Sequence, residues 1–187
     1  MSRIFLVGIG PLMDGGARRV TAHAVRAWRF VSALRHAGHD VNLCTFSQNI
    51  SPHDPMERMV EPRAKDGFAY ENLDMRMGNV LGYLSEQCRR LSPDCVIGVG
   101  TEPSGWACRM RPTAPVWADL HGWVMAEAQI KAAHDGSDEI LSHFWRHERP
   151  VLLRADKISV VSTPQRFALL GELGTAGRLN RHNVGYD

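Results

Sequence analysis

The sequence lacks the features that mark several large classes of protein. No apolar run approaches the roughly 20 residues that span a bilayer. The four cysteines include no C-x-x-C pair and no metal-finger spacing. Lys and Arg number 22 against 20 Asp and Glu, a balance that disfavours a protein built to coat nucleic acid. Together with the absence of a basic and apolar leader, these gaps predict a cytoplasmic protein without a nucleic-acid partner.

The length and the order of apolar segments predict one α/β domain over residues 1–187. Apolar runs alternate with amphipathic stretches that have helical spacing. Strands are predicted at residues 3–9, 40–46, 94–99, 115–120 and 157–162. Residues 47–72 have no clear period and predict a long connection with a short strand near residues 68–70. This order predicts an open, mainly parallel Rossmann-like sheet with helices on both faces.

A glycine-rich segment, GIGPLMDGGARR, occupies residues 8–19 between the first strand and the first helix. Glycines before a helix N-terminus allow the backbone N–H groups to bind a phosphate. The spacing does not fit G-x-G-x-x-G, and no acidic residue ends the second strand, so a dinucleotide-binding oxidoreductase is the least favoured function. A tight turn that binds nothing stays as the structural alternative for this segment.

Several motifs together resemble the N-terminal half of a GT-B glycosyltransferase, nearest to the retaining family four. They are RIFLVG followed by DGGARR, RAWRFVSALRHAGHDVNLCT, PDCVIGVGTEP, PVWADLHG and ADKISVVSTPQRFALLGELG. The resemblance implies an acceptor-side domain that transfers a hexosyl-type sugar only with a C-terminal donor-binding domain, which this chain lacks. It also implies a nucleotide-diphosphate sugar as co-substrate and no catalytic metal. The alternative is a non-catalytic binding subunit that pairs with a separate donor-binding chain.

The resemblance assigns roles to individual residues. Gly15 and Gly16 match the double glycine that lies against the donor diphosphate, and Arg18 and Arg19 could add charged contacts. His121 follows a predicted strand at the carboxyl end of the sheet, where the family has a histidine near the transferred sugar. The alternative for His121 is a solvated histidine that closes a turn.

Two acidic residues at the same edge are expected to contact the acceptor or to support the site. Glu102 lies in the turn GTEPSG, in which Thr101 replaces the family's histidine, and a helix cap by Thr101 or Ser104 explains the turn equally well. Asp119 shares a side of its strand with His121 by alternation, so it either orients His121 or is an ordinary buried acceptor.

Two further clusters are interpreted conservatively. His143 and His147 would share a helix face and could bind a metal with Glu148, but no third ligand is obvious, so no metal site is predicted. Basic residues crowd the first helix region, where some family members contact anionic lipid for their lipid-linked acceptors. These residues are Arg18, Arg19, Arg26, Arg29 and Arg35. An unknown acceptor and peripheral contact with the inner face of the membrane are therefore expected partners, with an ordinary solvated helix face as the alternative.

Overall fold

The computed structural model describes residues 1–13, 21–47 and 60–183. In these residues the strands form one sheet in the order β3-β4-β2-β1-β5-β6-β7. The strands are β1 (Arg3–Gly10), β2 (Asp40–Ser47), β3 (Val60–Lys65), β4 (Phe68–Asp74), β5 (Cys95–Val99), β6 (Val116–Leu120) and β7 (Lys157–Val160). All neighbouring strands pair in parallel except β3 and β4, which are antiparallel.

Helices cover both faces of the sheet. They are α1 (Ala22–His36), α2 (Val80–Leu91), α3 (Thr101–Arg109), α4 (Val124–Asp135), α5 (Glu139–Arg154) and α6 (Thr163–Thr175). Successive side chains of a strand point to opposite faces, so β1 contributes to two separate cores. Phe5 and Val7 pack with α2, α3 and α5, whereas Ile4 and Leu6 pack with α1. The predicted fold class, an open α/β sheet with helices on both faces, is confirmed.

The main departure from the sequence prediction is a β-hairpin inside the expected long connection. β3, with the sequence VEPRAK, contains a proline and three charged residues, which resembles a loop. An edge strand tolerates such residues because one of its sides forms no ladder. Asp66 and Gly67 link β3 to β4 with φ angles of 50° and 74°, as a two-residue hairpin turn requires. The Asp-Gly pair, which was not used in the sequence analysis, is therefore the signal that could have indicated this hairpin.

The topology brings several loops to one edge of the sheet. Six of the strands run parallel, so β1, β2, β4, β5, β6 and β7 all end at the same edge of the sheet. Open α/β sheets bind ligands at this carboxyl edge. No helix in the described part of the chain is both long and apolar enough to cross a membrane.

Candidate functional site

His121 lies directly after β6, at the carboxyl edge of the sheet, as the sequence predicts. The ring of His23, on α1, contacts it edge-on with a centroid separation of 4.5 Å. Both ring nitrogens of His121 are buried, and among the described residues neither has a hydrogen-bond partner. Buried polar groups are normally hydrogen-bonded, so these two nitrogens stand out as candidates for contact with a ligand.

The turn that precedes α3 holds the backbone next to His121 from one side. Gly100, which precedes α3, has a φ of +101°, and a Cβ there would lie 3.3 Å from Cε1 of His121. The amide of Gly100 donates to the carbonyl of Asp119 at 2.8 Å. The turn between β5 and α3 therefore lies directly against the His121 ring and needs glycine at position 100.

Gln165, in the first turn of α6, holds the His121 loop from the other side. Its Nε2 donates to the carbonyls of Leu120, at 3.0 Å, and Gly122, at 2.8 Å, the two residues that flank His121. Its Oε1 accepts from the amide of Val161 at 3.1 Å. Sequence reasoning missed Gln165 although it lies in the quoted motif STPQRFALLGELG. It is a positioning residue for His121.

The histidines of the site are held in the neutral form. Burial, with a smaller contribution from the nearby His23, lowers the pKa of His121 to about 4. Burial also lowers the pKa of His23, partly offset by the negative charge of Glu102. At neutral pH each imidazole therefore offers one donor and one acceptor rather than a positive charge.

Asp119 is fully buried and has partners other than His121. Its Oδ1 accepts from Nη2 of Arg26 at 2.8 Å and from Oγ of Ser159 at 2.7 Å. Its Oδ2 accepts from Nε of Arg26 at 2.5 Å. Among the described contacts Asp119 makes no hydrogen bond to the His121 ring, and its bonds to Arg26 and Ser159 fit the alternative of an ordinary buried acceptor. Arg26 turns into the protein toward this carboxylate instead of sharing a solvated face with the other basic residues of α1.

Glu102 lies in the first turn of α3 at the carboxyl edge, as predicted. Its Oε1 is 2.7 Å from Nε2 of His143 on α5. The helix-cap alternative for this turn is wrong, because Gly100 is the N-cap residue and no side chain caps α3. Ser104 donates instead to the carbonyl of Gly98 at 2.9 Å.

The structure does not describe the second half of the glycine-rich segment, and it places Glu148 in the interior. Gly15, Gly16, Arg18 and Arg19 lie outside the described residues, so their assignment to the donor diphosphate stays a prediction. Glu148 is buried on α5, and burial, with a smaller contribution from Glu172, raises the pKa of its carboxyl to about 8.

Comparison with known proteins identifies the family. The model of glycosyltransferase family 4 matches residues 23–180, which is most of the chain. The chain belongs to glycosyltransferase family 4. This membership agrees with the resemblance seen in the motifs and leaves no support for the dinucleotide-dependent oxidoreductase. The search of curated protein sequences gave no match.

Solved structures show the fold of this glycosyltransferase family 4 chain. Sucrose-phosphate synthase from Thermosynechococcus elongatus is 16% identical with a TM-score of 0.54, over 91% of this chain and 45% of that one. The structure described as trehalose-6-phosphate from E. coli bound with UDP-2-fluoro glucose is 10% identical with a TM-score of 0.49, over 93% and 43%. The fold assignment rests on the first of these. The family 4 chain spans less than half the length of either structure.

Proposed function

We propose that this glycosyltransferase family 4 chain forms the acceptor-side wall of a cleft for transfer of a hexosyl group from a nucleotide-diphosphate sugar. The observation that carries the proposal is His121, whose two buried ring nitrogens lack partners among the described residues at the carboxyl edge of the sheet. A sugar hydroxyl is the chemical group that would satisfy them. His121 is thus the proposed catalytic residue.

The proposed reaction breaks one bond and forms one bond at the anomeric carbon. The bond to the diphosphate oxygen breaks, the bond to the acceptor oxygen forms, and the acceptor proton leaves with the nucleoside diphosphate. Positive charge develops on the sugar ring as the leaving group departs. The lowered pKa of His121 supports a role in hydrogen bonding, because a neutral imidazole does not repel this charge.

The donor diphosphate is proposed to lie against the backbone of Gly15 and Gly16. Unpaired N–H groups at a helix start stabilise anions without a metal ion. The proposed transfer step therefore uses the nucleotide-diphosphate sugar as co-substrate and needs no metal. Glu102 is proposed to contact the acceptor or support its site, and Asp119 supports the site indirectly through Arg26 and Ser159.

A second domain is proposed to complete the cleft and to hold the nucleotide sugar. Trp123 follows β6, Val161 follows β7 and Phe167 lies near the start of α6, and all three apolar side chains are exposed at the carboxyl edge. Phe167 is the most exposed of them, at 64%. A partner domain that covers this edge would remove the apolar surface from water. These 187 residues alone are then expected to be inactive.

Peripheral contact with an anionic membrane surface is also proposed, at a site different from the α1 region. A groove between α2 and α5 carries five arginines together with the exposed side chains of Trp145 and Leu153. These arginines are Arg109, Arg111, Arg146, Arg149 and Arg154. Clustered arginines beside apolar side chains favour lipid phosphate groups. Such contact would place the protein at the inner face of the membrane, near a lipid-linked acceptor.

Replacement of His121 by alanine in the full-length protein tests the proposed transfer. Loss of a hydrogen bond made in the transition state is expected to lower kcat by about 10²- to 10³-fold. Because His121 lies at the edge of the fold, the melting temperature of the variant should differ little from that of the unaltered protein. Release of nucleoside diphosphate from a panel of nucleotide sugars measures turnover, and His134→Ala, at an exposed position on α4, is the control.

Unchanged turnover in His121→Ala would remove His121 from the site. Full transfer activity from these 187 residues alone would contradict the half-cleft. If the full-length protein transfers no sugar by itself but restores transfer to a separate donor-binding chain, the non-catalytic binding subunit is the correct alternative.

A further inference from the structure

Metal-ligating side chains meet where the first turn of α3 contacts α5. Glu102, His143 and His147 each offer one ligand atom, and these atoms all lie within 4.8 Å of one another. The two histidines are four residues apart on α5, so they share one face of the helix, with ring centroids 5.2 Å apart. Nε2 of His143 already lies 2.7 Å from Oε1 of Glu102.

His147 supplies a second, independent observation that points to a ligand. His147 is only 7% exposed, and its buried Nδ1 has no hydrogen-bond partner among the described residues. The ring of Trp106 packs edge-on against it at a centroid distance of 5.4 Å. A Cβ at Gly105 would lie 2.7 Å from the backbone oxygen of His147, so α3 and α5 are in close contact here. The His147 ring therefore has little room to turn out toward water.

We propose that Glu102, His143 and His147 bind one Zn²⁺ ion. Two imidazole nitrogens and one carboxylate oxygen are a ligand set typical of zinc, whereas Ca²⁺ and Mg²⁺ prefer oxygen ligands alone. Bonds of about 2.0 to 2.2 Å place tetrahedral ligand atoms roughly 3.4 Å apart. Binding of the ion would therefore move the ligand atoms of Glu102 and His143 slightly apart and bring the most distant pair of ligand atoms closer together.

Access to this zinc site is from the side of His143. The side chain of His143 is 40% exposed and borders an open groove along the start of α5. Zinc can enter from this groove, and a water molecule can take the fourth ligand position there. His147 provides the buried side of the site.

The proposed ligand set differs from the one that the sequence brought together. Sequence reasoning combined the two histidines with Glu148, their neighbour on the same helix, and predicted no metal site. The third ligand comes instead from α3, 41 residues away from His143 in the chain. Zinc would tie the first turn of α3 to α5, close to Gly100 and His121. Zinc would stabilise the region around His121 without taking part in the transfer step. A negative result for zinc binding would therefore not count against the proposed transfer, and the reverse also holds.

Zinc titration of the full-length protein without a polyhistidine tag tests the proposal. Competition with a chromogenic chelator is expected to show one Zn²⁺ ion per chain. His143→Ala and Glu102→Gln should each weaken binding by about tenfold or more, because each removes one ligand. Glu148→Gln and His134→Ala should bind zinc as the unaltered protein does. The Glu148 variant separates the proposed ligand set from the one suggested by sequence spacing.

Two further measurements do not depend on enzyme activity. Co²⁺ in place of zinc should give the visible absorption bands of a tetrahedral site, and these should be lost in His143→Ala. Zinc should raise the melting temperature of the unaltered protein and not that of His143→Ala or Glu102→Gln. Because replacement of the buried His147 risks unfolding, these two partly exposed ligands carry the test. Absence of zinc binding, or binding by both ligand variants as tight as that of the unaltered protein, would overturn the proposal.

Discussion

Several single residues of this protein are kept neutral by burial although their side chains can ionise. Burial lowers the pKa of His121 and His147 to about 4 and raises the pKa of Glu148 to about 8. Among the described residues, Oε2 of Glu148 is buried without a hydrogen-bond partner. A carboxylate in that position is costly because it loses its hydration and gains nothing in return. Glu148 therefore makes the stability of the fold depend on pH.

Replacement of Glu148 by glutamine should stabilise the protein at high pH and have much less effect at low pH. The carboxyl pKa is 4.5 in the reference state and about 8 in the fold. The folded state therefore binds the proton more tightly, and this stability is present below pH 4.5 and is lost as the pH rises through 8. Glutamine does not titrate, so its advantage should grow by about 4 kcal/mol between pH 5 and pH 8.5.

Urea unfolding at pH 5 and at pH 8.5 measures this difference in the free energy of unfolding. Glu139→Gln, at an exposed position on the same helix, is the control and should show a smaller dependence on pH. A Glu148→Gln effect of equal size at the two pH values would contradict the buried-carboxyl interpretation.

The sequence predicts which residues lie at the carboxyl edge of the sheet more reliably than it predicts which groups they contact. His121 and Glu102 were placed correctly because each follows a recognisable strand of a parallel sheet. Arg26 was grouped with the exposed basic residues of the first helix region because its carboxylate partner lies 93 residues away in the chain. Gln165 reaches the His121 loop across 43 residues. Such pairings depend on tertiary structure, which neither helical spacing nor strand alternation contains.

At the scale of secondary-structure elements, one polar cluster joins α1 to the neighbouring strands β6 and β7. Arg26 on α1 donates to Asp119 on β6, which also accepts from Ser159 on β7. Ser159 in turn accepts from Nε1 of Trp117 at 2.9 Å.

Strand prediction succeeded where apolar runs are long and failed for β3, whose charges and proline suit an edge. The cluster, in contrast, has no periodic signal in the sequence.

Replacement of Arg26 by methionine should loosen α1 from the sheet. The change leaves the charge of Asp119 buried with only the Ser159 hydroxyl as a side-chain partner among the described contacts. Removal of one member of a buried pair costs about 3 to 5 kcal/mol, and the value here should be nearer 2 because Arg26 is partly exposed. Urea unfolding measures the loss, with the exposed Arg29→Met on the same helix as the control.

The double variant Arg26→Met with Asp119→Asn removes the unpaired charge and should recover part of the lost stability. Equal unfolding free energies for Arg26→Met and the unaltered protein would show that the ion pair does not hold α1. No recovery in the double variant would indicate that packing of the Arg26 stem, rather than its charge, stabilises this contact.

At the scale of the whole molecule, charge is distributed unevenly. The chain has a formal net charge of only +2, yet five arginines line one groove between α2 and α5. The attraction of this groove for anions is therefore local and should be sensitive to salt. Composition alone predicts neither the groove nor its position, because its arginines come from α3, α5 and the turn between α3 and β6.

Reversal of charge in this groove should weaken binding to anionic vesicles. The full-length protein should cosediment with vesicles that contain phosphatidylglycerol and much less with phosphatidylcholine alone. Arg146→Glu with Arg149→Glu should lower the affinity by about tenfold or more, since each basic residue contributes about 1 kcal/mol near such a surface. Arg89→Glu with Arg90→Glu, at exposed positions on α2, is the matched control. Equal sedimentation of both double variants would exclude the groove as the contact surface.

The hairpin strand β3 has a consequence for how the molecule behaves at high concentration. Pro62 offers no backbone donor, and Glu61, Arg63 and Lys65 place charges along the outermost strand. An unprotected edge would recruit strands from other molecules and extend into fibrils. At the β3 edge such growth is blocked, so the molecule can expose apolar residues at its carboxyl edge without the β3 side of the sheet seeding aggregation.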